Sequence, residues 1–125
     1  MLLHNYLNHF RHQLKKLEDY GFSESIEIKE EIRAKKLAVI TAHIVLFNGS
    51  SFHINEYIDA RYKIERKSYA YHYQDNQGKC IFRYDNANHK PALGFKEHKH
   101  TIDGVIIEAS LPVISDLIDE VIKYL

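Results

Sequence analysis

At 125 residues, 45% of them hydrophobic, the chain has the size of one domain that can bury a core without disulfide or metal staples, so residues 1–125 are expected to form a single domain. Its 17 Lys and Arg cancel its 17 Asp and Glu, which excludes a global field drawing it onto nucleic acid or an anionic membrane and makes any polyanion site local. The lone cysteine, Cys80, allows neither an internal disulfide nor a multi-cysteine zinc site, no run approaches the ~20 apolar residues of a membrane span, and the first residues lack a signal-peptide core, so a cytoplasmic protein with no membrane partner is expected.

Leu3, Leu7, Phe10, Leu14 and Leu17 follow one another at steps of four and three, which predicts a helix with one apolar face, ended by Gly21. The same spacing suits a coiled-coil seam, so packing on the protein's own sheet comes first and a homodimer contact second. From Ser25 the period changes to two, and Ile26, Ile28 and the β-branched run Leu37 to Phe47 read as strands. Asn48-Gly49-Ser50-Ser51 has turn chemistry, and Phe52 to Ile58 resumes alternation beyond it, which predicts a hairpin. Asp59 to Arg66 has no clear assignment.

A second hairpin joins Tyr69-Ala70-Tyr71-His72-Tyr73 to Lys79-Cys80-Ile81-Phe82-Arg83-Tyr84 across Asp75-Asn76-Gln77-Gly78. With an even loop, Tyr73, Tyr71 and Tyr69 would face Cys80, Phe82 and Tyr84, giving an aromatic buried face. The other face would carry Ala70, His72, Ile81, Arg83 and Asp85. A loop through Pro91 and Gly94 to about Glu97 follows, then a strand at Val105-Ile106-Ile107. Ser110 is placed to cap a last helix whose stripe is Val113, Leu117, Ile118, Val121, Ile122 and Leu125. The expected fold is α+β: a single antiparallel β-sheet of five to six strands with N-terminal and C-terminal helices on one face, leaving the other face for a ligand.

Nine histidines and nine tyrosines against no tryptophan give the chain an uneven chemistry, densest from Arg83 to His100. In extended backbone, His98 and His100 project to one side and Lys99 to the other. Two imidazoles suit general acid and base work, as a metal-independent ribonuclease requires. Arg83, Lys90, Lys96 or Lys99 would hold the phosphate, and aromatic rings such as Tyr84 could stack bases. His89 would support the pair and His72 would orient it; Asp85 and Asn86 complete the polar set. The same residues allow blander readings: an exposed Arg83–Asp85 ion pair, an Asn86 that shapes a turn, and histidines that are merely solvated. His89, His98, His100 and Asp85 also have the donor types of a zinc-like site, although no cofactor or metal is expected.

Here the chain resembles the TumE family of toxins from prokaryotic toxin–antitoxin pairs. The resemblance lies in Tyr69-Ala70-Tyr71-His72-Tyr73, in Phe82-Arg83-Tyr84-Asp85-Asn86-Ala87, in His89 with Pro91, and in His98-Lys99-His100. It extends more loosely to Asn48-Gly49, Ile54-Asn55-Glu56-Tyr57 and Asp119-Glu120, roughly two thirds of the chain in all. It implies a growth-inhibiting toxin neutralised by an antitoxin that carries a helix-turn-helix domain, docked at the first helix or elsewhere. Joined to the histidine pair, it leads to an expected endoribonuclease acting on RNA. The alternatives are a non-catalytic protein- or RNA-binding module and a small metal-binding protein.

Overall fold

The computed structural model describes residues 2–88 and 92–125. Helix α1 (Leu3–Asp19) buries Leu7, Phe10, Leu14 and Leu17, the stripe its spacing predicts. It ends where Gly21 adopts φ +76° and the Phe22 amide donates back to the Leu17 carbonyl at 2.8 Å.

The strands follow without a crossover: β1 (Ser23–Arg33), β2 (Leu37–Leu46), β3 (Ser51–Asp59), β4 (Glu65–Gln74), β5 (Cys80–Asp85), β6 (His98–His100) and β7 (Ile106–Glu108). Each pairs antiparallel with the next, so the sheet is a seven-stranded meander in chain order. Seven strands replace the expected five to six. The extra strand is β6, three residues long and too short to show a period of two, whereas β7 answers the strand expected at Val105-Ile106-Ile107. The unassigned stretch runs from Asp59, the last residue of β3, through a bend at residues 61–63 to the start of β4 at Glu65. Helix α2 (Ile114–Ile122) closes the chain and buries Ile114, Leu117, Ile118 and Val121. Ser110 does not cap it: Val113, three residues further on, holds the cap position with no side-chain bond.

Both helices lie on one face, over Ala38, Ile40, Ala42, Ile44 and Leu46 of β2, Phe52, Ile54 and Ile58 of β3, Tyr69, Tyr71 and Tyr73 of β4, and Phe82 of β5. Tyr6 of α1 reaches Glu56, and Glu120 of α2 accepts from Tyr84 at 2.6 Å and Lys99 at 2.7 Å, so hydrogen bonds as well as apolar contact fix the layers. No helix among the described residues is long and apolar enough to cross a membrane.

The aromatic face is as expected, but its register is not. Tyr71 pairs with Tyr84 and Tyr73 with Phe82, while Gln74 pairs with Cys80, leaving Ile81 as the extra residue of a bulge. The loop between the strands has an odd length, Asp75 to Lys79, closed by Asp75 Oδ1 accepting from the Gln77 and Lys79 amides. This odd loop and the bulge together move the partners of Tyr71 and Tyr73 by two and that of Cys80 by one, from Tyr73 to Gln74. A shift of two preserves which face a side chain occupies, so Ala70, His72, Arg83 and Asp85 keep the polar face, whereas Ile81, expected with them, is buried in the core, and Cys80 sits opposite Gln74 instead of the aromatic Tyr73.

Candidate functional site

The face of the sheet away from the helices carries the site. Register aligns one residue from each of six strands in a row: Glu27 opposite His43, His43 opposite His53, His53 opposite His72, His72 opposite Arg83, and Arg83 opposite His100. The rings of His43 and His53 stack with centroids 4.3 Å apart and planes within 16°, and His53 and His72 lie 6.3 Å apart. Burial pushes the imidazoles of His53 and His72 below the ordinary histidine value; His43 adds to the effect on His53, and Arg83, His53 and His100 add to that on His72.

At the β5–β6 end of the row stands Asp85, with its side chain 5% exposed. Its carboxylate collects four groups. Oδ1 lies 2.9 Å from His98 Nε2 and accepts from the Ala87 amide at 3.0 Å. Oδ2 accepts from Arg83 Nε at 2.8 Å and lies 3.6 Å from His100 Nε2. His98 is as buried as Asp85, and its Nδ1 is 2.8 Å from the Lys96 carbonyl oxygen. A carbonyl only accepts, so Nδ1 carries a proton, and the 2.9 Å contact on the other side requires a second proton between Nε2 and Oδ1. His98 is thus held at both ring nitrogens, while His100, packed edge-on to it at 5.1 Å, is half-exposed.

The expected residues separate accordingly. Arg83, Asp85, His98 and His100 come together, with His72 beside Arg83. Lys99 and Tyr84 do not join them. Strand alternation turns both toward α2, where Lys99 Nζ pairs with Glu120 and sits 4.9 Å from the centre of the Tyr84 ring. Asn86 acts as a strap, accepting from the Tyr69 amide and donating to the Lys67 carbonyl. His89 and Lys90 lie outside the described residues. Cys80 is half-buried, with burial raising its thiol, consistent with a packing role.

A groove of about 420 Å³ runs beside this cluster, lined by Asn55, Tyr57, Ser68, Ala70, Arg83, Asn86 and Lys96 among others. A smaller one of about 210 Å³ lies by His43 and His53 and shares Asn55 with it. Sequence reasoning missed His43 and His53 as site residues. The signal was present: the two stand five residues either side of Asn48, the centre of the first hairpin, so they had to face one another. Three donors of different residues, Asp85, His98 and His100, lie within 4.8 Å of one another and could hold a metal ion.

The family model described as Toxin TumE matches residues 13–125. No curated protein and no solved structure matches the chain. The match begins inside α1 and takes in β1, β2 and every later element, more than the motifs around the two hairpins and His98-Lys99-His100 convey. The chain therefore belongs to the TumE toxin family.

Proposed function

We propose that this chain is the toxin of a toxin–antitoxin pair and that it acts as a metal-independent endoribonuclease on the open face of the sheet. Family membership supports the toxin role, and a toxin of such a pair needs an antitoxin, proposed here as a protein with a helix-turn-helix domain. The observation that carries the chemistry is the cross-strand order His72–Arg83–His100. Strands lie about 4.8 Å apart, so the two imidazoles flank the guanidinium at about twice that spacing. A phosphodiester held by Arg83 would have one imidazole on each side. One takes the proton of the attacking ribose 2′-hydroxyl as the other gives a proton to the leaving oxygen, and Arg83 offsets charge on the phosphate.

Asp85 and His98 form the cross-strand pair beside Arg83 and His100 on β5 and β6. The carboxylate fixes Arg83 through Nε and stands beside His100, while His98 anchors the carboxylate. The acid–base pair is thus assigned to His72 and His100, with His98 as a positioning residue, because His98 is buried and engaged at both nitrogens.

The test is controlled expression in a bacterial host of wild type, His72→Ala and His100→Ala at matched soluble levels, following growth and the 5′ and 3′ ends of total RNA. Growth arrest with new RNA ends in wild type alone supports the assignment. Arrest in all three without new ends would replace it with a non-catalytic module that docks a protein or RNA on the same face.

A further inference from the structure

We propose that Asp85, His98 and His100 form a binding site for a divalent transition-metal ion of the zinc class. The site stands independently of the nuclease reading, since it rests on donor chemistry and geometry alone.

The three donor atoms lie within 4.8 Å of one another, on two adjacent strands. From the Asp85 carboxylate the cluster spans 2.9 Å, from Oδ1 to His98 Nε2, and 3.6 Å, from Oδ2 to His100 Nε2. Zinc bonds of about 2.0–2.1 Å in a tetrahedron separate neighbouring donors by about 3.3 Å, between those two values. The longest edge must contract, and His100 is the group placed to do it, being half-exposed where Asp85 and His98 are buried.

The surroundings match what a metal ligand needs. A histidine on a metal ordinarily donates its other ring N–H to a carbonyl or carboxylate, which sets the tautomer and aims the lone pair. His98 has this arrangement, with Nδ1 on the Lys96 carbonyl and Nε2 turned inward. The carboxylate is aimed in the same way by the Ala87 amide and by Arg83 Nε. Two imidazoles and one carboxylate favour zinc, cobalt or nickel, whereas magnesium and calcium prefer all-oxygen sets.

Binding balances simply. The ion enters with two positive charges, the proton between His98 Nε2 and Asp85 Oδ1 leaves to solvent, and the ring and carboxylate turn their freed lone pairs to the ion. The ion also takes the His100 lone pair, so the loaded form could not use that ring to move a proton.

The experiment is calorimetric titration of the purified full chain with zinc chloride alone, in two buffers of different ionisation enthalpy, beside His100→Ala, His98→Ala and His43→Ala/His53→Ala. The expected result is one zinc per chain, with proton release seen as a buffer-dependent heat, unchanged in His43→Ala/His53→Ala and weakened at least about tenfold in His100→Ala. His98→Ala should match that loss; if it does not fold, the half-exposed His100 variant decides alone. Equal affinity in wild type and His100→Ala, or loss confined to His43→Ala/His53→Ala, would overturn the site and show chelation by other surface histidines. RNA cleavage plays no part in this readout, so its failure and that of the nuclease reading are separable.

Discussion

Tyr6, in the first turn of α1, donates its hydroxyl to Glu56 Oε1 at 2.5 Å, and Tyr71 donates to Oε2 of the same carboxylate at the same distance. Arg66 extends the cluster, donating to the Tyr71 hydroxyl at 2.9 Å and to the Pro112 carbonyl at 2.7 Å. One buried glutamate thereby ties α1, the middle of the sheet and the approach to α2. Removing one donor leaves that carboxylate short of a partner it cannot replace from water. Tyr6→Phe is expected to cost about 1–3 kcal/mol of stability, measured by urea unfolding. A cost indistinguishable from zero would mean that apolar packing alone docks the first helix.

Glu56 also gives stability a pH dependence. Burial holds its carboxyl above the ordinary value of 4.5, against the opposing pull of the Tyr6 and Tyr71 hydroxyls and Arg66. The folded chain therefore keeps this proton more tightly than the unfolded chain. Its contribution is fully present below 4.5 and is lost as pH rises through the raised folded value. Glu56→Gln should remove this part of the slope, so the difference in urea midpoint between the variant and wild type should grow in the variant's favour from about pH 4 to about pH 8. A constant difference across that range would show that the carboxyl is not shifted.

How far these features could be read in advance depended on the range of the interaction. The stripe Leu7, Phe10, Leu14, Leu17 is a local period and was legible in full. So was the aromatic side of β4 and β5, because alternation needs no partner. The pairing of Tyr71 with Tyr84 was not, since it depends on an odd loop and on Ile81 bulging, neither of which leaves a period in the chain. Arg83, Asp85, His98 and His100 were legible as candidates because they crowd one stretch. That Asp85 and His98 are buried was hidden, for it goes with the Ala87 amide and the Lys96 carbonyl bonding to their side chains on a face that alternation marks as open. The histidine row spans strands far apart in sequence and needed three registers at once.

The Asp85 cluster separates a structural role from a chemical one. Asp85 and His98 are buried against each other, and removing one member of a buried pair costs about 3–5 kcal/mol. His100 is half-exposed and 3.6 Å from the carboxylate, a contact worth no more than about 1 kcal/mol. Asp85→Asn should thus lower both the thermal midpoint and growth arrest, whereas His100→Ala should abolish arrest with a midpoint close to wild type. If His100→Ala melts as early as Asp85→Asn, the ring is a structural prop and its loss of activity says nothing about chemistry.

His72 offers the most direct view of the row. Its imidazole is pushed below the ordinary 6.5 first by burial, then by Arg83, His53 and His100. Each of the three side chains can be removed singly, so the field on His72 can be mapped by following its ring proton in NMR titrations without added metal. Arg83→Gln should move the His72 value upward, and His53→Gln should do so by less, because the guanidinium is the larger of the two influences. The lowered value also affects the fold. The unfolded chain binds this proton more readily, so the contribution is fully present above 6.5 and is lost as pH falls through the lower folded value. Arg83→Gln should therefore weaken the acid-side loss of stability attributable to His72, even as it removes the guanidinium that Asp85 holds. A His72 titration unmoved by Arg83→Gln would mean that the two side chains, though opposed in register, do not share one electrostatic environment, and the order His72–Arg83–His100 would lose its claim to be a single site.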